Sequence, residues 1–386
     1  MKRGILLLML ALCLMLSGCM SWMDGSYSSV YPYTERDQQN KDQIVSVAYY
    51  SQLRDALVEM VANCNETMLL NVAQMDPSRI AGDMQRAIKY VLESTPVGAY
   101  AVDEITYEQG TSGGQNALSV NVNYNHNRAG VLRMKHAENL DQVRKLVTDS
   151  LSQCESRVVL FAEAYRNIDI QQFVKDYAEE NPNVIMEVPT ITVNMYPEQG
   201  TARIMEIVFA YQSSRDSLRS MQSRVRPLFT SAELYVSGNH EDQEKYGQLY
   251  AFLMERHEYT IETSITPSYS LLVHGVGDSK AFATVYAAMC RRAGLDCMVV
   301  SGTWEGEPLF WNIVRDGEIY RHVDLLRCNR DGILSYRTDA QMTGYVWDYS
   351  AYPECSEPEN ATVNQESTEP EGPAETTEPD VPEETE

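Results

Sequence analysis

The feature that most constrains the fold is a repeat with a spacing of 90 residues in the first half of the chain. Residues 108–110 read Glu-Gln-Gly, as do residues 198–200, and Cys64 recurs as Cys154. Several matching residues that all recur at the same spacing, with no insertion or deletion between them, indicate a duplicated structural unit. Two apolar pairs keep the same spacing: Leu70 with Leu160, and Ile80 with Ile170.

Each copy has the pattern of a helix, a strand, a second helix and two further strands, over residues 45–128 and 135–215. Leu118, Val120 and Val122 alternate with polar residues, which is the period of a half-buried strand. We therefore predict a duplicated helix-strand-helix-strand-strand module over residues 44–230, with helices on one face of a sheet. This module carries no recognisable catalytic motif, and a structural or binding role is expected for it.

The N-terminus has the composition of an export signal. Lys2 and Arg3 precede an apolar run over residues 5–16. This run is shorter than the roughly 20 apolar residues of a membrane-spanning helix, and small residues follow it, as at a signal cleavage site. The sequence therefore predicts that the chain is exported.

The four residues at positions 16–19, Leu-Ser-Gly-Cys, resemble the lipobox of bacterial lipoproteins. The resemblance implies a signal peptide over residues 1–18, lipidation of Cys19 and a flexible tether over residues 19–43. The expected location is the extracytoplasmic face of the cell membrane, with the membrane itself as a partner through the lipid. The alternative is an ordinary secretory signal in which Cys19 occurs by chance.

The chain carries a formal net charge of −24, and an acidic tail over residues 356–386 supplies much of it. This tail combines Glu, Pro and Thr with no Lys or Arg, so it is expected to be disordered. Binding of nucleic acid requires clustered Lys and Arg to contact phosphates. We therefore expect no nucleic-acid partner, and no motif indicates a cofactor.

Three short motifs follow one another in the second half of the chain. Residues 275–283 read Gly-Val-Gly-Asp-Ser-Lys-Ala-Phe-Ala, a glycine turn that enters an amphipathic helix ending at Gly294. Residues 309–312 read Leu-Phe-Trp-Asn, and residues 322–324 read His-Val-Asp. Their order and spacing resemble the transglutaminase-like superfamily, which has a papain-like core. The resemblance implies a transglutaminase-like α+β domain over residues 231–355.

The same resemblance assigns the catalytic positions of this domain, and two of them are changed. Family members have a nucleophilic Cys where this chain has Ser279, and a His base where it has Leu309. Only Asp324 matches, and in the family this carboxylate orients the missing His. A serine hydroxyl needs an adjacent base to attack, and leucine accepts no proton. We therefore predict that Ser279 and Asp324 are vestigial and that the domain is inactive.

Two other interpretations of these residues stay open. Asp278 and Ser279 are residue types that cap helices, so a helix start explains them without catalysis. His322 lies two residues before Asp324 on the same side of a strand and is one alternative base, and His274 is another. Either base would make the protein an active hydrolase or acyl transferase that uses Ser279 on cell-surface peptides.

The favoured function is a lipid-anchored binding or scaffolding protein whose degenerate papain-like cleft binds cell-wall material, a protein or a peptide. This assignment of partners rests on fold analogy. Trp304, Phe310 and Trp311 lie near the expected groove. Core packing is the alternative for each of them, above all for Trp311.

Six cysteines remain once the signal peptide and Cys19 are set aside. Export permits disulfides, although isolated buried thiols are the alternative. No cysteine spacing matches a zinc site, so no metal is expected. The candidate pairs are Cys328 with Cys355, Cys290 with Cys297, and Cys64 with Cys154 if the repeats pack about a two-fold axis.

Overall fold

The computed structural model covers most of the chain and divides it into two compact units. The first unit ends at Arg133 and the second begins at Met134, so the boundary falls between the two repeats. The predicted signal peptide, Cys19, the tether and almost all of the acidic tail lie outside the described residues. Those residues are 44–236, 238, 241–255 and 257–357.

The first unit follows the predicted order of helix, strand, helix and two strands. A two-residue strand precedes this pattern, and two short helices are added to it. In chain order the elements are β1 (Val45–Ser46), α1 (Tyr50–Ala62), β2 (Thr67–Asn71), α2 (Ile80–Ser94), α3 (Pro96–Ala101), β3 (Val102–Ser112), β4 (Gln115–Tyr124) and α4 (Arg128–Leu132).

The strands of the first unit form one sheet in the order β1-β2-β4-β3, in which β1 and β2 are parallel and the other pairs antiparallel. Leu118, Val120 and Val122 of β4 are buried, as the alternating pattern predicts. Leu53 of α1 and Met84 of α2 belong to the same core. The helices therefore cover the apolar face of this sheet.

The second unit repeats this arrangement and then continues into a further α+β domain. Its elements in chain order are β5 (Lys135–Ala137), α5 (Leu140–Ser152), β6 (Arg157–Ala162), α6 (Ile170–Glu180), β7 (Thr190–Tyr196), β8 (Arg203–Ala210), α7 (Arg215–Tyr235), α8 (Asp242–Met254), β9 (Glu258–Tyr259), α9 (Pro267–His274), β10 (Val276–Gly277), α10 (Ser279–Arg292), β11 (Cys297–Trp304), β12 (Glu307–Asp316), β13 (Ile319–Val323), α11 (Leu325–Asp331) and β14 (Tyr345–Trp347).

The two repeats share their sheet topology and register. The second sheet has the order β5-β6-β8-β7, again with the first two strands parallel. Lys135 pairs with Leu160 in this sheet, just as Val45 pairs with Leu70 in the first. The predicted fold class, a duplicated helix-strand-helix-strand-strand module followed by an α+β domain, is therefore confirmed.

Cys64 and Cys154 occupy the same position after α1 and α5, each with a left-handed φ of 52°. The N–H of Cys64 donates to the carbonyl of Val61, and that of Cys154 donates to Leu151, each at 3.0 Å. Such helix endings usually use glycine. The cysteines thus mark equivalent helix ends. Both thiols are buried and free, so the suggested Cys64–Cys154 disulfide is not formed.

Helix α7 was not predicted, and it connects the second repeat to the following domain. The Gln222 side chain of α7 donates to the carbonyl oxygens of Ser152 and Val184 in the repeat, at 3.2 and 2.7 Å. Leu218 and Phe229 of the same helix join the core formed by α8 and α10. The second repeat and the domain that follows it are therefore packed together.

The last sheet has the order β13-β12-β11-β14, with antiparallel pairs throughout. Helix α10 lies against one face, where the buried Asn312 amide of β12 donates to the Ala283 carbonyl of α10 at 2.9 Å. On the other face, Trp311, Tyr345 and Trp347 form a separate apolar cluster. Alternate residues of β12 thus serve two different cores.

Gly302 of β11 allows Trp311 to pack closely against the backbone of this second cluster. A Cβ built on Gly302 would lie 2.6 Å from Cη2 of Trp311 and would also clash with the Val346 carbonyl oxygen. We predict that Gly302→Ala lowers the free energy of unfolding by about 1–3 kcal/mol, because the overpacked core must distort. Urea unfolding followed by circular dichroism measures this change.

Gly247→Ala is the matched control, because a Cβ on Gly247 in α8 meets no atom within 4 Å. Alanine in a helix interior is favoured over glycine by roughly 0.5–1 kcal/mol, so this variant should unfold at higher urea. Equal unfolding midpoints for Gly302→Ala and the wild type would contradict the packing described for Trp311.

Candidate functional site

The N-terminus of α10 positions the residues of the glycine-turn motif. Asp278 is the N-cap, and its carboxylate accepts from the Ala281 N–H at 2.8 Å. Gly277 packs closely, since a Cβ there would lie 3.0 Å from Leu271 Cδ1. Ser279 is the first helical residue and is only 8% exposed. Asp278 therefore supplies the cap, and the Ser279 hydroxyl has a different partner.

That partner is the backbone of β12. The N–H of Phe310 donates to Ser279 Oγ at 3.2 Å. The preceding residue on the strand is Leu309, whose half-buried side chain packs against the cluster that contains Trp311 and Tyr345. The hydroxyl therefore lies beside the backbone of residues 309 and 310, where leucine offers no group that accepts a proton.

Asp324 directly follows β13, and its buried carboxylate forms hydrogen bonds with neighbouring residues. Its Oδ1 accepts from the N–H groups of Leu326 and Arg327, at 3.0 and 3.1 Å, and so caps α11. Its Oδ2 accepts from the Tyr345 hydroxyl at 2.7 Å. Burial, assisted by this hydrogen bond, raises the pKa of Tyr345 to about 12, so the phenol stays a donor.

His322 is fully buried and hydrogen bonded through both ring nitrogens. Trp311 Nε1 lies 2.9 Å from Nδ1, and Asp339 Oδ1 lies 2.7 Å from Nε2. An indole N–H can only donate, so Nδ1 accepts and Nε2 carries the proton donated to Asp339. Burial lowers the pKa of His322, and the hydrogen bond to Asp339 opposes that shift. Neither nitrogen is available to Ser279.

His274 ends α9 and is followed by Gly275 in the left-handed conformation. Its ring contacts Tyr269 edge-on, with 5.1 Å between the centroids. Neither His274 nor His322 is hydrogen bonded to the Ser279 hydroxyl. The alternative bases named from the sequence thus form no hydrogen bond with this serine in the part of the chain that the structure describes.

Comparison with known proteins bears on this part of the chain. Residues 230–359 match the model of the transglutaminase-like superfamily. These residues form a transglutaminase-like domain. The match covers the three sequence motifs and the side chains around Ser279, Asp324 and His322. No curated protein sequence matched the chain.

Three solved structures show a weak overall likeness. One is a TGase, with a TM-score of 0.25 and 11% identity over 50% of this chain and 59% of the other. A second is a candidate cysteine protease of Cytophaga hutchinsonii, with a TM-score of 0.23 and 13% identity over 41% and 70%. A third is a candidate protease of Parabacteroides distasonis, with a TM-score of 0.21 and 9% identity over 72% and 40%.

The aromatic residues assigned to the groove of the transglutaminase-like domain differ in exposure. Trp311 is fully buried and belongs to the core, so it is removed from the predicted binding residues. Trp304 and Phe310 are partly exposed. Each carries a cation over its ring: the Arg330 guanidinium lies 5.5 Å from the Trp304 centroid, and Lys280 Nζ lies 5.2 Å from that of Phe310. We call Trp304 and Phe310 the groove residues.

One cluster with metal-ligand chemistry was missed in the sequence. Ligand atoms of His322, Asp339 and Cys355 lie within 4.8 Å of one another, although the residues are far apart in the chain. The proton on His322 Nε2 occupies the position that a metal would need. Burial, then the nearby Asp339 carboxylate, raises the pKa of the Cys355 thiol to about 12. This cluster therefore fits a hydrogen-bonded network better than a metal site.

The other suggested pairs are also not disulfides, since all four cysteines are buried free thiols. Cys328 lies in α11, and its Sγ accepts from the Ser335 N–H at 3.3 Å. Cys355 belongs to the cluster around Trp311 instead. Cys290 and Cys297 both lie in the core around α10, where burial raises the pKa of the Cys290 thiol well above its ordinary range.

The buried His322 predicts a specific pH dependence of stability. Because its folded-state pKa lies below the ordinary value of 6.5, the unfolded chain takes up the proton first as the pH falls. Its contribution is complete above pH 6.5 and is lost as the pH falls below that value. Each unit of lowered pKa corresponds to about 1.4 kcal/mol. We predict that acidification from about pH 7 to about pH 5 destabilises the wild type more than His322→Gln.

Urea unfolding at both pH values measures the two differences. The Gln side chain can still accept from Trp311 and donate to Asp339, but it does not titrate. If the wild type and His322→Gln lose the same stability on acidification, the assignment of a neutral buried imidazole is wrong.

Proposed function

We propose that this protein is a membrane-anchored extracytoplasmic lipoprotein whose transglutaminase-like domain is catalytically inactive and serves as a binding or scaffolding module. The observation that carries the proposal is the surroundings of the Ser279 hydroxyl. Its hydrogen bond comes from the Phe310 N–H, a donor, and the neighbouring Leu309 has no basic group.

The chemistry of the site supports an inactive domain. An alcohol must lose its proton as it attacks, and this requires a base within about 3 Å. Asp324 is used for capping α11 and for the Tyr345 hydroxyl. His322 is held by Trp311 and Asp339. Loss of one triad member typically removes several orders of magnitude in rate, and here two positions are changed.

The anchor is proposed from the lipobox-like sequence ending at Cys19. In the part of the chain that the structure describes, no helix has the length and apolarity needed to cross a bilayer. A lipid on Cys19 would hold the protein at the membrane without a spanning helix. Partitioning into Triton X-114 tests this: Cys19→Ala should move from the detergent phase to the aqueous phase, and no movement would refute the anchor.

The groove residues are the proposed contact points for a cell-wall or peptide ligand. Trp304 and Phe310 each combine an exposed aromatic face with an overlying cation. Such surfaces stack on flat or apolar ligand groups. Phe310 adjoins Ser279, whereas Trp304 packs on the opposite face of the sheet, against the Trp311 cluster. Binding at either ring does not require a working nucleophile.

Activity is tested with a fluorophosphonate, which labels serines that have an activating base. We predict no labelling of the wild type above the level of Ser279→Ala, because no basic group among the described residues is hydrogen bonded to the Ser279 hydroxyl. A known serine hydrolase in the same reaction is the positive control. Labelling that disappears in Ser279→Ala would instead establish the active hydrolase or acyl transferase.

Binding is tested by co-sedimentation with purified cell envelopes. We predict that Trp304→Ala combined with Phe310→Ala lowers the bound fraction at least about tenfold, as expected when two aromatic anchors worth more than 1 kcal/mol each are lost. Tyr349→Ala, which removes an exposed aromatic outside the groove residues, is the matched control. Undiminished binding by the double variant would argue against a groove-based role.

A further inference from the structure

A separate cavity lies in the second unit, on the side of α10 that faces the second repeat. Its volume is about 340 Å³, and it is enclosed by α6, the chain over residues 182–188, the start of α9 and the first turns of α10. Ser279 does not line it, and the Ser279 hydroxyl contacts β12 instead. Ser279 and the groove residues therefore do not line the cavity, although Lys280 lines it and also lies over the Phe310 ring.

The walls of the cavity are mainly apolar. Ala178 and Ile185 line it from the second repeat, while Ala281 and Val285 line it from α10. Its volume is at the small end of the range for ligand pockets, roughly 300–1,000 Å³. A single aromatic ring with short substituents fits such a space, and a folded peptide segment does not.

Two hydroxyl groups in the lining have no hydrogen-bond partner in the protein. They belong to Ser268 of α9, which is 3% exposed, and Thr284 of α10, which is 8% exposed. A helical threonine commonly donates to the carbonyl four residues earlier, and Thr284 does not. Buried hydroxyls without partners destabilise a protein and are rare. Two of them on one cavity point to a hydrogen-bonding group of a ligand.

The charges near the cavity are already engaged or solvated. Lys280 Nζ lies 2.7 Å from Glu179 Oε1. The Asp278 carboxylate caps α10. Lys175 is exposed at the rim. The interior therefore offers hydroxyls and apolar surface, and this combination favours a neutral ligand over an ion.

We propose that this cavity is a binding site for a small neutral molecule with an apolar body and one hydrogen-bonding group that reaches Ser268 and Thr284. This site adds a second ligand to the one proposed for the groove residues and does not depend on it. Its recognition is by shape and by two hydroxyls, so loss of either hydroxyl should weaken binding without harming the fold.

The probes are 4-methylphenol and toluene, which share an apolar ring and differ by one hydroxyl. Binding to the full chain is measured by isothermal titration calorimetry. We expect 4-methylphenol to bind about tenfold more tightly than toluene, because one ligand hydrogen bond is worth about 0.5–1.5 kcal/mol. Failure of both probes to bind would overturn the proposal.

Thr284→Val tests the role of the hydroxyl. It should lower the affinity for 4-methylphenol severalfold, towards that of toluene, and leave toluene binding unchanged. Because the hydroxyl has no partner, the ligand-free variant should melt at the same temperature or higher. A lower melting temperature would show that the hydroxyl already has a structural role, and equal 4-methylphenol affinities would show that it is not recognised. Either result would overturn the proposal.

Two further measurements locate the site and test its charge preference. Ala178→Leu fills the cavity and should abolish binding of both probes in a variant whose circular dichroism is unchanged. If that variant does not fold, Ser268→Ala serves in its place and should repeat the loss seen with Thr284→Val. Tighter binding of 4-methylbenzoate than of 4-methylphenol would assign recognition to Lys175 and refute a neutral ligand.

Discussion

The second unit depends on one helix that is buried along most of its length. All residues of α10 from Ala281 to Cys290 are buried, so each face of this helix must find a partner. The sheet supplies one through the Asn312 amide, and α8 supplies another, where the Tyr286 hydroxyl donates to the Tyr246 carbonyl at 2.9 Å. A helix enclosed in this way cannot shift without disturbing several cores at once.

This enclosure explains why the geometry around Ser279 does not depend on catalysis. The Asp278 cap fixes the start of α10, and hydrogen bonds to β11 fix the position of β12. Ser279 and Phe310 are therefore in contact whether or not the site is catalytic. The polar side chains of Asp324 and His322 have hydrogen-bond partners within the domain, namely Tyr345 and Asp339. Removal of either side chain would leave buried groups unpaired.

The sequence predicted the elements whose signals are local. The alternation of β4 and the apolar spacing of α10 follow from periodicity, and the common offset of the repeats gave their shared topology. Helix α7 was missed because it is largely polar and contains Pro227, which normally disfavours a helix interior. The strands β1 and β5 were missed because two or three residues carry no detectable period.

The positions of the candidate catalytic residues were predicted from the family resemblance. The hydrogen bonds that these residues form could not be predicted in the same way. The partner of His322 lies 17 residues away in a short turn, and nothing local marks Asp339 as its acceptor. The unpaired hydroxyls of Ser268 and Thr284 could not be predicted from the sequence either, because the packed structure decides whether a hydroxyl finds a hydrogen-bond partner. Core packing was already the stronger alternative for Trp311 in the sequence, and the structure buries it fully.

The helix endings at Cys64 and Cys154 have a consequence for the oxidation of their thiols. Oxidation of a thiol proceeds through its thiolate, and burial raises the pKa of both cysteines. The same holds for Cys290 and Cys355. A native chain therefore resists oxidants that would attack the same thiols during refolding, when they are solvated. Protection of these sulfur atoms is a property of the folded state, and it is complete only after the chain has closed around them.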